Sequence, residues 1–285
     1  MPSPDRIEPR RVGIVGAGYL GRTLVESLRR AVPGRQIVAT TRSGRWRGEA
    51  IEHVAIKRLD LVDDSYEYAR ELLNGCTTLV ACYAPGRGSS RELYRIGAQK
   101  LAKLCGALRV RRLVYTSSTS ALPHVDGPVD ENCDVWPSSE RGIMQRQAEQ
   151  LVIDTCTRMG VPWIVLRLAG LYGPGREPGS RFEPGEVLPG DGMEVANLVH
   201  LDDAVAATLA AIDLDANVSA IVHVCMPAHP SRRELYERWA AFRGQAAPRW
   251  ELAPTAEISR GKRVVSANLA AMLELTLAHA DPWPT

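Results

Sequence analysis

The chain has 285 residues, a formal net charge of +2, and 45% hydrophobic and 24% charged residues, the balance of an ordinary globular fold. So small a charge excludes the concentrated basic face of a general nucleic-acid binder, and no apolar run reaches the roughly 20 residues that span a bilayer. Residues 1–6 lack the apolar stretch of a secretory signal, and the six scattered cysteines form no C-x-x-C pair, so reduced buried thiols in a cytoplasmic protein are expected, with no metal site.

In chain order, the apolar run Val12–Val15 ends in Gly16-Ala17-Gly18-Tyr19-Leu20-Gly21, and an amphipathic helical pattern begins at once. In this strand–turn–helix setting G-x-G-x-x-G is specific. Gly16 makes the turn, Gly18 admits a pyrophosphate to the backbone, and Gly21 lets helix and strand pack closely. The helix N-terminus, with Tyr19 and Leu20 in its first turn, supplies amides and a favourable dipole to the phosphates. Residues 36–41 read as a second strand and 53–56 as a third. Residues 65–73 read as a helix with Asp63 and Asp64 as cap candidates. A strand at 77–82, stopped by Tyr83-Ala84-Pro85-Gly86, precedes a helix at 90–105, a strand at 112–116, a helix at 140–159 ended by Gly160, and a strand at 162–167.

This alternation predicts an α/β fold, a doubly wound parallel (Rossmann) sheet over residues 10–172. Residues 173–285 then form a small C-terminal substrate lobe interleaved with the sheet edge. Gly173–Gly192 reads as a long functional loop, followed by a strand at 195–199, a helix at 202–214, a strand at 221–225 and a helix at 231–242 with Ser231 and Glu234 in a capping box. The last forty or so residues give no clear pattern.

The second strand decides which dinucleotide is expected. About 20 residues past the glycines an NAD site places an acid on the ribose 2′-hydroxyl. Here that place holds Thr40 and Thr41, followed by Arg42-Ser43-Gly44-Arg45. Hydroxyls and a guanidinium grip a 2′-phosphate that an acid would repel, so Thr41, Arg42 and Ser43 point to NADP(H). Asp60 reads equally as an acceptor for the adenine amino group or as an ordinary turn aspartate.

These glycines, together with Asp60-Leu61, Tyr115-Thr116-Ser117-Ser118-Thr119, Arg167-x-x-Gly170-x-Tyr172-Gly173-Pro174-Gly175-Arg176 and His200-x-Asp202-Asp203, resemble the extended and atypical short-chain dehydrogenase/reductase superfamily. Within it the chain is most similar to the shorter NAD-dependent epimerase/dehydratase-like proteins, over about residues 11 to 270. The resemblance implies a substrate side near the Arg167–Arg176 stretch, a pocket lid near His200–Asp203, and a strand-five hydroxyl, Ser118 or its neighbour Thr119, that holds the substrate oxygen. It also implies a Tyr-x-x-x-Lys pair on one helix face, whose lysine binds the ribose and lowers the tyrosine pKa.

Counted back from Ala148-Glu149-Gln150-Leu151, the tyrosine position holds Arg141 and the lysine position Gln145. Arginine stays protonated and is no proton-transfer acid; glutamine can bond a ribose without charge. Three readings follow. Tyr83, Tyr172 or His200 supplies the proton; or an imine-like or otherwise polarised acceptor takes hydride beside Ser118 and Arg141; or the chain binds NADP(H) without catalysis, as a sensor or scaffold. The expected function is an NADP(H)-dependent reductase of a small carbonyl or imine-like metabolite, with redox-neutral sugar-nucleotide epimerase or dehydratase chemistry as the alternative. Arg176 is a candidate for an anionic substrate group. The sequence itself leaves the oligomeric state open, and the resemblance implies a homodimer through paired helices, with 90–105 and 140–159 the candidates; a small-molecule substrate is expected, with neither nucleic acid nor membrane as partner.

Overall fold

A computed structural model describes residues 11–46, 48–52, 54–83, 93–215, 217–254 and 260–283. Seven strands form one sheet: β1 (Val12–Val15), β2 (Ile37–Thr41), β3 (Ile56–Arg58), β4 (Thr78–Ala81), β5 (Arg112–Ser118), β6 (Trp163–Leu168) and β7 (Ala220–Val224). Their order is β7-β6-β5-β4-β1-β2-β3, a Rossmann-like parallel sheet. Helices flank it: α1 (Tyr19–Ala31), α2 (Tyr66–Leu72), α3 (Ala98–Ala107), α4 (Glu140–Arg158) and α5 (Leu201–Asp213). Helices α6 (Arg232–Phe242) and α7 (Ala267–Leu273) follow.

The chain divides into two compact units, interleaved along the sequence. One comprises Met1–Ser117, Ile143–Leu166 and Thr208–Ile221; the other comprises Ser118–Gly142, Arg167–Ala207 and Val222–Thr285. In the first, Leu79 and Leu113 from the sheet pack with Leu73, Leu101, Leu104, Val152 and Cys156 from the helices. Each such leucine, fully buried, contributes about 1.5–3 kcal/mol. Arg112 is buried there too, its guanidinium donating to the carbonyls of Val218 (3.0 Å) and Leu214 (3.3 Å) and to that of Asp215, where the end of α5 needs donors.

The second unit has its own core of Tyr172, Phe182, Leu198, Met226, Tyr236 and Trp239. Short parallel pairs frame it: Gly170–Tyr172 with Leu198–His200, and Lys262–Val264 with Gly127–Val129. Its C-terminal stretch is held down by named bonds. The Tyr172 hydroxyl donates to the Asp281 carbonyl at 3.2 Å, Trp239 Nε1 to that of Pro282 at 2.9 Å, and the Ala228 amide to that of Ala280 at 3.2 Å. The Asp203 carboxylate accepts the Ala278 and His279 amides at 2.7 and 3.0 Å.

Several boundaries move from their sequence-based places. The third strand forms at Ile56–Arg58, not 53–56, because its register is set by Ala39–Thr41 of β2 while Val54 closes a turn on Ile51; His53 lies outside the described residues. Ser65, not Asp63 or Asp64, caps α2, accepting the Tyr68 amide at 3.1 Å; the Asp64 carboxylate is already taken by Arg58 and the Asp60 amide. The strand expected at 195–199 forms at Leu198–His200, where Gly170–Tyr172 supplies its partner. Residues 93–97 make a wide helical turn leading into α3, and positions 84–92 lie outside the described residues. All six cysteines are free thiols. No described helix is long and apolar enough to cross a membrane.

Candidate functional site

The glycine turn is built as a cradle. Gly16 sits at φ +93°, and a Cβ there would lie 2.6 Å from the Tyr83 amide nitrogen. A Cβ on Gly21 would lie 2.7 Å from the Gly16 carbonyl oxygen. Gly18 is different: a Cβ would meet nothing nearer than that oxygen at 4.0 Å, so the space beside it is open. The Gly16 and Ala17 amides bond the Thr40 carbonyl, tying the turn to β2, and no side chain caps α1. Tyr19 and Leu20 occupy its first turn. An open backbone face at an uncapped helix start fits a pyrophosphate.

At the end of β2 the Thr41 hydroxyl is engaged: it donates to the Arg45 carbonyl and accepts the Arg45 amide, both at 3.2 Å. It closes the turn and leaves Arg42 and Ser43 exposed. Asp60 Oδ1 accepts the Val62 and Asp63 amides at 2.9 and 3.3 Å, the geometry of a turn aspartate.

At the end of β5 lies a buried polar chain. Gln145 Nε2 donates to Ser117 Oγ at 2.8 Å, and Ser117 Oγ donates to Glu149 Oε1. Arg146 approaches the other carboxylate oxygen at 3.7 Å. Burial pushes the Glu149 carboxyl up to about 8, against the opposing pull of Ser117 and Arg146. Burial thus favours the protonated form of the acid that ends the Gln145–Ser117 chain. Tyr83 meets Tyr115 edge-on at 6.0 Å, and burial raises its phenol well above the usual tyrosine range.

In the second unit Ser118 ends β5, and Arg141 stands exposed in the first turn of α4, its side chain making no hydrogen bond among the described residues. Tyr172 is buried and its phenol is raised above the usual range, by burial first and then by Asp203 and Asp281. Tyr172 sits in the core and Tyr83 packs half-buried against one; the surroundings of each weaken its phenol as an acid. His200 packs against the Tyr172 ring and stacks on His279 at 3.8 Å; burial and then the His279 charge lower its pKa. His200, Asp202 and His279 bring possible ligand atoms within 4.8 Å of one another. The two rings are stacked on each other, and Nδ1 of His279 is bonded to Asp203 at 3.1 Å.

The NAD dependent epimerase/dehydratase family model matches residues 12–225. The chain belongs to this family. It is 30% identical to Protein YeeZ of Escherichia coli (strain K12) over 278 residues, 96% of this chain and 97% of that protein. It is 29% identical over 230 residues to the 3-diazoavenalumate denitrifying reductase of a Streptomyces species, 72% of this chain and 73% of that protein. Among solved structures, MoeE5 in complex with UDP-glucose and NAD superposes with a TM-score of 0.80 at 23% identity, over 95% of this chain and 94% of that one; this likeness is one of fold.

On α4, then, Gln145 is a buried amide bonded to Ser117, and Arg141 an exposed guanidinium. Sequence reasoning named Gln145 but missed Ser117 and Glu149 as its partners. Their spacing was a usable signal, since Gln145 and Glu149 lie four apart on one helix face. It also missed Lys262 and His279, which come from the stretch without a clear pattern.

Proposed function

We propose that this family member is an NADP(H)-dependent reductase that passes hydride to a small, already polarised acceptor, a carbonyl or imine-like group, without a tyrosine–lysine proton relay. The observation that carries the proposal is the buried Gln145–Ser117–Glu149 chain, in which Gln145, at the position the resemblance gives the relay's lysine, donates to Ser117. Without that cation no phenol is made acidic enough to shuttle a proton. Epimerisation begins by removing a proton from a substrate hydroxyl, and Arg141 cannot take it. Hydride delivery to an electrophilic acceptor needs only stabilisation of charge on that acceptor, the role we assign to Ser118 and Arg141; a carbonyl's resulting alkoxide takes its proton from water, and an iminium becomes a neutral amine without one. The similarity to a denitrifying reductase supports this reading.

Gly16, Gly18 and Gly21, with the amides of Tyr19 and Leu20, would hold the pyrophosphate. Arg42 and Ser43, with Thr41 shaping their turn, would select the 2′-phosphate, and Gln145 would face the ribose. When bound, the nicotinamide supplies the hydride. MoeE5 was solved with NAD and UDP-glucose, and that likeness favours the second reading, a redox-neutral sugar-nucleotide enzyme. The two part in one experiment. NADPH deuterated at C4 is incubated with the protein and an electrophilic acceptor, 9,10-phenanthrenequinone, and separately with UDP-glucose and NAD. Deuterium loss from the cofactor with net oxidation of NADPH supports the reductase; epimerised sugar with no net cofactor turnover overturns it.

A further inference from the structure

Ser118 does two things at the end of β5. It is proposed above to hold the substrate oxygen, and it caps the tight helical turn Thr119–Ala121, its Oγ accepting the Ser120 amide at 3.2 Å. An oxygen that accepts from one side keeps its own proton to give on another, and the direction of that O–H follows the turn. The far end of the turn is held by a side chain some 140 positions along the chain. Lys262 Nζ donates to the Thr119 carbonyl at 2.8 Å and the Leu122 carbonyl at 3.0 Å. The Thr119 carbonyl also receives the turn's own closing bond from the Leu122 amide at 3.2 Å. The ammonium therefore clamps the atom that closes the turn.

The clamp is itself anchored. Lys262 pairs with Gly127 in the short parallel ladder, and its carbonyl accepts from Asn197 Nδ2 at 2.9 Å. Burial lowers the ammonium to about 8, with Cys133 the one titratable group that opposes the fall. Among the described residues no carboxylate pairs with it. Half-burying a cation is unfavourable unless its donors are satisfied, and here the turn's carbonyls satisfy two of the three.

We infer that Lys262 is a positioning residue for Ser118: its ammonium fixes the Thr119–Ala121 turn and thereby aims the Ser118 hydroxyl at the substrate oxygen. The inference rests on the role proposed above for Ser118, and two independent measurements separate the failure of one from the failure of the other. The first is amide hydrogen exchange at Ser120 in the full chain. K262M should raise it at least about tenfold, with the amides of Gly18–Gly21 and NADPH affinity unchanged, and K262R should restore most of the protection. The second is the kcat for NADPH-dependent reduction of 9,10-phenanthrenequinone. K262M should lower it by about tenfold to a hundredfold, yet change it by less than about twofold in an S118A background. Unaltered Ser120 exchange in K262M overturns the inference, as does an equal fall in kcat with and without Ser118. If the wild-type chain reduces no acceptor, the proposed function fails while Ser120 exchange still decides the role of Lys262. Should K262M not fold, K262Q gives the same comparison in both backgrounds.

Discussion

Glu149→Gln isolates the acid at the bottom of the Gln145–Ser117 chain. Burial moves this carboxyl from 4.5 to about 8. Between those values the folded chain holds a proton that the unfolded chain has released, so its stability falls as pH rises. The group's contribution is fully present below about 4.5 and is lost as pH passes through about 8. A gap of about 3.5 pH units corresponds to ~5 kcal/mol in all, or ~1.4 kcal/mol for each pH unit crossed. Glutamine keeps an acceptor for the Ser117 hydroxyl and the shape of the protonated acid, but does not titrate. Urea midpoints of the two proteins, measured from about pH 5 to pH 8.5, give the difference directly, since every other group cancels. The variant should gain steadily on the wild type, by several kcal/mol over that range. Parallel profiles would mean that Glu149 is ionised throughout and that burial does not favour its protonated form.

Arg42→Ala should weaken NADPH binding about tenfold and leave NADH binding nearly unchanged, as read by nicotinamide fluorescence titration; equal losses for both would remove the basis for NADP(H) preference. Gly21→Ala forces a methyl to 2.7 Å from the Gly16 carbonyl oxygen, a backbone atom that cannot swing away. It should destabilise the chain by about 1–3 kcal/mol and weaken both dinucleotides together, measured by thermal melts with and without cofactor. Unchanged melting and binding would mean that β1 and α1 do not pack through this glycine.

Local chemistry was the most legible part of the sequence. The turn at Gly16–Gly21 and the cap at Ser231, whose Oγ accepts the Glu234 amide at 3.1 Å, involve residues within a few positions of one another, and both could be read directly. The doubly wound sheet followed from alternating apolar runs, because each strand of its centre is buried on both faces. What could not be read depends on distant partners. Leu198–His200 takes its extent from Gly170–Tyr172, and the lysine on Thr119 comes from a strand with no apolar run of its own. Asp60 and Thr41 show a second limit. A residue type compatible with a ligand is equally compatible with closing its own turn, and only the geometry shows that both do the latter.

The residues after Leu277 have the composition of a loose end, yet they act as interior. Tyr172, Trp239 and the Ala228 amide all find their acceptors in the carbonyls of Ala280–Pro282, and the buried Asp203 carboxylate finds its donors at Ala278 and His279. Trimming this stretch would leave three donors and a carboxylate without partners, each a penalty of about 1–3 kcal/mol or more. A protease cut or an attached label near Ala278 would thus be felt first in the core around Tyr172 and Trp239. The apparent tail is thus part of that core, the acceptor and donor its buried polar groups require.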